Sequence, residues 1–203
     1  APLLMGVDVA RFGDDESVIT FRRGRDARSK KQKTYKGVDT STLAMHVANA
    51  IECENPDAVF VDGAGVGGGV IDRLRQLGYR VIEVQSGEKA DASDKYLNKR
   101  VEMWGLMREW LKTGCLTKNE QLENELIAPE YEITPKGQVK LETKESMKKR
   151  GVASPDFADA LALTFAHKVG YKADLSREKI KRESAFDRRN EWFGGRIDGG
   201  WMI

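Results

Sequence analysis

Three short apolar runs constrain this chain more than any other feature: LLMGVDVA close to its start, SVITF soon after, and AVFVD ending at Asp62. Each is too short for a self-contained helix and too evenly apolar for a strand with one wet face. Such strands belong inside a sheet covered on both sides. Helical stretches alternate with them. Thr40 to Glu54 places Leu43, Val47, Ala50 and Ile51 on one stripe. A second helix follows GAGVGGG and runs to Leu77, with Gly78 as its stop. Next come a strand over YRVIEVQ and a long helix from Asp94 to Lys112, ended by Gly114. A shorter helix through NEQLENELIA and a hairpin over YEITPKGQVKLET, turning at Pro135 to Gly137, complete the middle of the chain. With a third strand near Lys33 to Tyr35, the order reads βββαβαβααββα. That pattern implies an α/β fold, a mixed sheet flanked by helices on both faces.

The last helix is the anomaly. SPDFADALALTFAH opens with Ser154 as a cap and Pro155 in the first turn. It then reads apolar nearly all round, as a buried helix does. Yet it carries Asp156 and Asp159, three apart and on one face. Asp8 closes the first strand and Asp62 closes another. Parallel strands put their carboxyl ends on one edge, where α/β proteins bind ligands. If the last helix packs beside the first strand, four carboxylates gather there.

An Asp at a strand end is ordinarily a turn or helix cap, and Asp156 suits a helix N-terminus through the dipole. Asp159, between two alanines and one turn further in, fits neither description. A cluster of this kind needs positive charge. Oxygen ligands without Cys or His suit Mg2+ or Mn2+. Two such ions about 3.5–4 Å apart clamp the attacking and leaving oxygens of a phosphoryl displacement.

The net charge is only +2, so any nucleic-acid contact must come from local clusters. Two exist. Arg22 to Lys36 holds eight basic residues against Asp26, among them Arg22, Arg23, Arg25, Lys30 and Lys31. Lys136 to Arg150 contains Lys140, Lys144, Lys148, Lys149 and Arg150. Both fall on hairpins or loops, placed to track a phosphate backbone. Gly63, Gly65 and Gly67 match GxGxxG on paper, a weak signal alone. They let either a phosphate or the chain's own backbone come close. No GxxxxGK[ST] occurs, so there is no Walker A site.

The chain's 203 residues suffice for one domain with a tail. Residues 1–169 read as the domain. Residues 170–203 read as a C-terminal tail with Trp192, Phe193 and Trp201, a candidate docking segment. Cys53 and Cys115 lack metal-ligand spacing and have helix-like contexts, which makes a reduced, cytosolic chain the default. No apolar run approaches the ~20 residues of a membrane span, and no signal peptide opens the chain. The abrupt start in a strand suggests a piece of a longer protein.

Four stretches, GVDVARFGDDESVI, VFVDGAGVGGGVIDRL, NKRVEMWGLMREWL and SPDFADALALTFA, in this order and spacing, resemble the nuclease domain of a phage terminase large subunit. The likeness runs from about Leu3 to Lys168. It implies an RNase H-like fold related to the RuvC resolvases. It also implies an endonuclease that cleaves concatemeric double-stranded viral DNA during genome packaging. By the same resemblance Asp8 and Asp62 match the first two acidic positions. Asp156 and Asp159 match the third, a DxxDA pattern. The implied cofactors are Mg2+ or Mn2+, two ions. The implied partners are double-stranded DNA, the small terminase subunit and the portal protein, at the procapsid in the host cytoplasm. An ATPase domain precedes the nuclease in that family and is not in this chain.

Two other readings compete. One is a non-catalytic module that grips DNA or the portal through basic loops and an aromatic tail. The other is an ATPase of RNase H-like topology, which would need a second half-domain for which this chain has no room.

Overall fold

β1 (Leu3–Asp8) is the spine of the molecule, a computed structural model that describes residues 1–10 and 15–170. All six of its residues are buried. Its antiparallel neighbour is β2 (Ser17–Arg23), and its parallel neighbour is β5 (Ala58–Asp62). Beyond β5 lies β6 (Ile82–Val84), also parallel. Beyond β2 lie β3 (Asp26–Ala27) and β7 (Cys115–Leu116), while β4 (Lys33–Tyr35) pairs with the start of β2. The seven strands run in the order β6-β5-β1-β2-β3-β7, with β4 off this path. A separate hairpin joins β8 (Tyr131–Ile133) to β9 (Val139–Leu141).

Side chains alternate across the pleat, so β1 feeds two cores. On one face Leu3, Met5, Val7, Ile19 and Phe21 meet Leu43, Val47, Val70, Ile71 and Leu74. The last five belong to α1 (Thr40–Glu54) and α2 (Gly67–Gln76). On the other face Leu4, Val18 and Phe60 meet α3 (Lys99–Leu111), α4 (Glu120–Ile127) and α6 (Asp156–Leu163) through Met103, Trp104, Leu122, Phe157 and Leu161. The mixed sheet covered on both faces is as the apolar runs imply. Each fully buried Leu, Ile or Phe contributes roughly 1.5–3 kcal/mol. The two cores therefore offset the cost of the charged groups buried between β1 and α6.

Gly6 sets how closely α6 approaches. A Cβ there would lie 2.1 Å from the Ala160 carbonyl oxygen. The helix thus rests directly on the backbone of β1, on the face that Leu4 and Asp8 share with Gly6.

Several elements differ from their sequence-based expectations. The long helix starts at Lys99, not Asp94, because the Asn98 side chain accepts from the Val101 N–H at 3.1 Å and caps it there. Cys115 lies in β7 and not in a helix, whereas Cys53 lies in α1; both are free and exposed. A short helix, α5 (Lys144–Lys149), stands where the sequence pattern implies none. Two-residue strands and six-residue helices carry no periodicity to read. Residues 11–14, and the tail expected beyond Gly170 with its aromatic residues, lie outside the described residues. Among the described residues no helix is long and apolar enough to cross a membrane.

Candidate functional site

Asp8 is the last residue of β1 and Asp62 the last of β5. The two strands pair in parallel with Val7 opposite Val61, so both aspartates follow on the next rung. The pleat then turns both side chains to the same face at the same edge. α6 brings Asp156 and Asp159 to this edge on its first turn. All four line one cavity of about 500 Å3, together with Asp15, Arg100 and Lys144.

Lys144 is the centre of the cluster. Its Nζ lies 3.0 Å from Asp159 Oδ2, 3.4 Å from Asp8 Oδ2 and 3.7 Å from Asp156 Oδ1. Burial alone would lower this ammonium, but Asp8, Asp159 and Asp156 hold it well above its usual range. By sequence Lys144 belongs to a DNA-facing basic run. The fold puts it among the carboxylates instead.

The four aspartates are not equivalent. Burial pushes the Asp8 carboxyl well up against the pull of Lys144, and the charges of Asp159, Asp156 and Asp62 push the same way. Burial also raises Asp62, although the Ala64 N–H donates to its Oδ1 at 3.1 Å and the Ser86 hydroxyl at 3.3 Å. Asp156 is raised by burial too, while the Ser154 hydroxyl donates to Oδ1 and the Glu16 N–H to Oδ2. Asp159 goes the other way. Burial opposes its ionisation, but Arg100, Lys144 and Trp104 bring its carboxyl down to about 2. Its Oδ1 accepts from Arg100 Nε at 3.1 Å and Trp104 Nε1 at 2.7 Å.

Three of the four carboxylates therefore lack enough positive charge. An all-oxygen donor set in that condition has the chemistry of a hard divalent cation site. Among the described residues no group of three or more His, Cys, Asp and Glu side chains stands at metal-holding distances. The carboxylates are instead gathered around the Lys144 ammonium.

Two residues of the site, Arg100 and Trp104, lie in the NKRVEMWGLMREWL stretch, but nothing in the sequence marks them as site residues. In the sequence Arg100 fits a surface facing substrate or water, and Trp104 fits core packing. Their spacing of four on one helix face is the available signal. Arg100 also donates to the Glu142 carbonyl at 3.0 Å, which ties α3 to the segment before α5.

The three glycines lie where the chain turns or packs closely on itself, and Gly65 also lines the cavity. A Cβ at Gly67 would lie 1.8 Å from the Asp62 carbonyl oxygen, and Gly65 adopts φ +61°. Gly63 faces the side chains of Gln85 and Glu83. Together they fold the start of α2 back against the end of β5.

The basic residues divide. Arg22 is half-buried and held by the chain itself. Its guanidinium stacks 4.0 Å from the Phe165 ring centroid and donates to the Thr164 carbonyl at 2.7 Å, and burial lowers it to about 10. Lys30 pairs with Glu54, Lys140 with Glu132, Lys148 with Asp15, and Arg150 with Glu142. Arg23, Arg25, Lys31 and Lys149 are exposed.

No family model matches this chain, and no curated protein does. Solved structures do. The nuclease domain of the large terminase subunit gp2 of bacterial virus Sf6 superposes with a TM-score of 0.72 at 19% identity, covering 84% of this chain and 90% of that one. The large terminase nuclease of thermophilic phage G20c superposes at 0.61 with 15% identity, covering 83% of each chain. A Thermus phage large terminase nuclease domain superposes at 0.57 with 14% identity, covering 84% of this chain and 83% of that one. The G20c domain has been solved with magnesium and with cobalt, and a lysine-to-alanine mutant of the Sf6 domain with manganese. The chain has the RNase H-like fold of these domains.

Proposed function

We propose that this chain is a metal-dependent endonuclease that cuts double-stranded viral DNA during genome packaging, by phosphodiester hydrolysis at the aspartate cluster. One observation carries the reading. Carboxylates from β1 and α6 surround a single cationic atom in a cavity, and the carboxylate of β5 stands on the adjoining wall. The shared fold with phage terminase nuclease domains, some solved with divalent metals, supports it.

Asp8, Asp62 and Asp156 would hold the metal, and Asp159 would join through Oδ2 once Lys144 leaves it, since Oδ1 stays bonded to Arg100 and Trp104. Two bound ions would supply an activated water and a counter-charge for the departing 3′-oxygen. The remaining work belongs to the chain. Arg100 and Trp104 fix the rotamer of Asp159. Ser154 and the Glu16 N–H fix that of Asp156. Lys144 offsets part of the cluster's charge and would have to withdraw for a cation to enter. Its ammonium is then available to a phosphate oxygen. The small terminase subunit, the portal protein and the procapsid remain expectations of the resemblance.

The test is plasmid nicking with Mg2+, with Mn2+ and with EDTA, run beside Asp62→Ala. Cutting that needs metal and drops roughly 100-fold or more in the variant is expected, in line with a lost ligand. Tight DNA binding with no cutting under any metal would favour the non-catalytic module instead.

A further inference from the structure

We infer that Glu125 is a positioning residue for the aspartate cluster: reaching across from α4, it caps the first turn of α6 and leaves Asp156 to face the cavity. The inference rests on the nuclease reading of that cavity.

α6 begins without a local cap. Pro155 occupies the N-cap position and makes no side-chain bond there. Ser154, the expected cap, spends its hydroxyl on Asp156 Oδ1. The first intrahelical bond runs from the Asp159 N–H to the Pro155 carbonyl at 2.7 Å. The N–H groups ahead of it need partners from elsewhere. Glu125 supplies one of them. Its Oε2 accepts from the Ala158 N–H at 3.0 Å. Gln121, one turn earlier on α4, donates to its Oε1 at 3.1 Å and fixes the rotamer.

The placement is costly. Glu125 is 7% exposed, and burial pushes its carboxyl up to about 7, with the nearby Asp156 charge adding to the rise. No lysine or arginine pairs with it among the described residues. A leucine would fill the same space beside Leu122 at no electrostatic cost. What the carboxylate supplies is a fixed acceptor for the first turn. Without it, the natural acceptor is Asp156 at the first position of that turn, since Asp at a helix start readily folds back onto nearby N–H groups. An aspartate spent in that way is lost to the cavity.

The experiment compares wild type, Asp62→Ala, Glu125→Ala and Glu125→Gln in Mn2+-dependent nicking, each well below its own melting temperature. Glu125→Ala is expected to raise the Mn2+ concentration for half-maximal cutting roughly tenfold, as losses behind metal ligands do, with KM for DNA unchanged. Glu125→Gln keeps a carbonyl acceptor but loses the charge, and its midpoint is expected to rise about threefold, between wild type and Glu125→Ala. If Glu125→Ala does not fold, the Gln variant decides, and a midpoint equal to wild type overturns the inference. So does a folded Glu125→Ala that cuts with the wild-type midpoint, or one whose losses follow only its folded fraction. If the wild type itself does not cut, the nuclease reading falls and takes this inference with it. If the wild type cuts and Asp62→Ala does not, only the role of Glu125 is at stake.

Discussion

At the scale of single residues, the behaviour of the cavity turns on Lys144. Asp8 is 2% exposed, and no arginine pairs with it among the described residues. Its nearby countercharge is an ammonium whose side chain is 33% exposed. That asymmetry makes Lys144 the mobile partner and the carboxylates the fixed ones. Removing a partner from a fully buried ion pair costs roughly 3–5 kcal/mol. Discounted for the exposure of Lys144, Lys144→Ala should cost the metal-free protein about 1–3 kcal/mol. Thermal melts should then show Mn2+ stabilising the variant more than the wild type, with a lower Mn2+ midpoint. Equal stabilisation of both would mean that lysine and cation do not compete for the same place. Asp159 is held differently, by Arg100 and Trp104, so its geometry should persist in the variant.

At the scale of elements, the site is a junction between a strand and a helix that touch backbone to backbone. Gly6 is what allows it. Gly6→Ala would drive a methyl group into the Ala160 carbonyl, and neither backbone can move without disturbing the sheet or the helix. A loss of about 3 kcal/mol or more is expected in urea unfolding, the upper range of overpacking. Gly68 is the control. It lies in α2, and a Cβ there meets nothing within 4 Å. Gly68→Ala should be neutral or stabilise by about 0.5 kcal/mol through the unfolded chain. A tolerated Gly6→Ala would show that α6 has more freedom over β1 than the close approach implies. α5 contributes in another way. Thr143 caps it, and Arg150 at its end holds Glu142, so Lys144 enters the cavity from a helix anchored at both ends.

At the scale of the whole molecule, a net charge of +2 means that the proposed DNA binding would rest on a few surface cations. Arg23, Arg25 and Lys31 lie on the β2–β4 side, and Lys149 lies on α5. Binding should be weak, indifferent to sequence and steeply reduced by salt. Replacing Arg23, Arg25 and Lys31 together with alanine should lower the slope of log affinity against log salt, by roughly 0.9 for every phosphate that these side chains neutralise. The Mn2+ midpoint should not move. An unchanged slope would assign the phosphate binding to other residues.

Local pattern was enough for the central strands of the sheet and for singling out the four aspartates. Apolar runs such as those of β1 and β5 announce themselves as buried strands, and two aspartates in an otherwise apolar helix are conspicuous without any coordinates. Side-chain alternation then follows from the backbone alone, which is why Asp8 and Asp62 could be placed on one edge. Charge compensation could not be read that way. Lys144 and Arg22 both sit in basic runs, yet one neutralises aspartates as far as 136 residues away in sequence and the other bonds to Thr164 across 142. Glu125 caps a helix 33 residues further on, in place of the serine next to it. Cys115 joins a strand that exists only because β3 lies alongside. Periodicity reports which face of an element is buried. Only the packed fold decides which charge meets which, because that depends on distances between segments that no local spacing encodes.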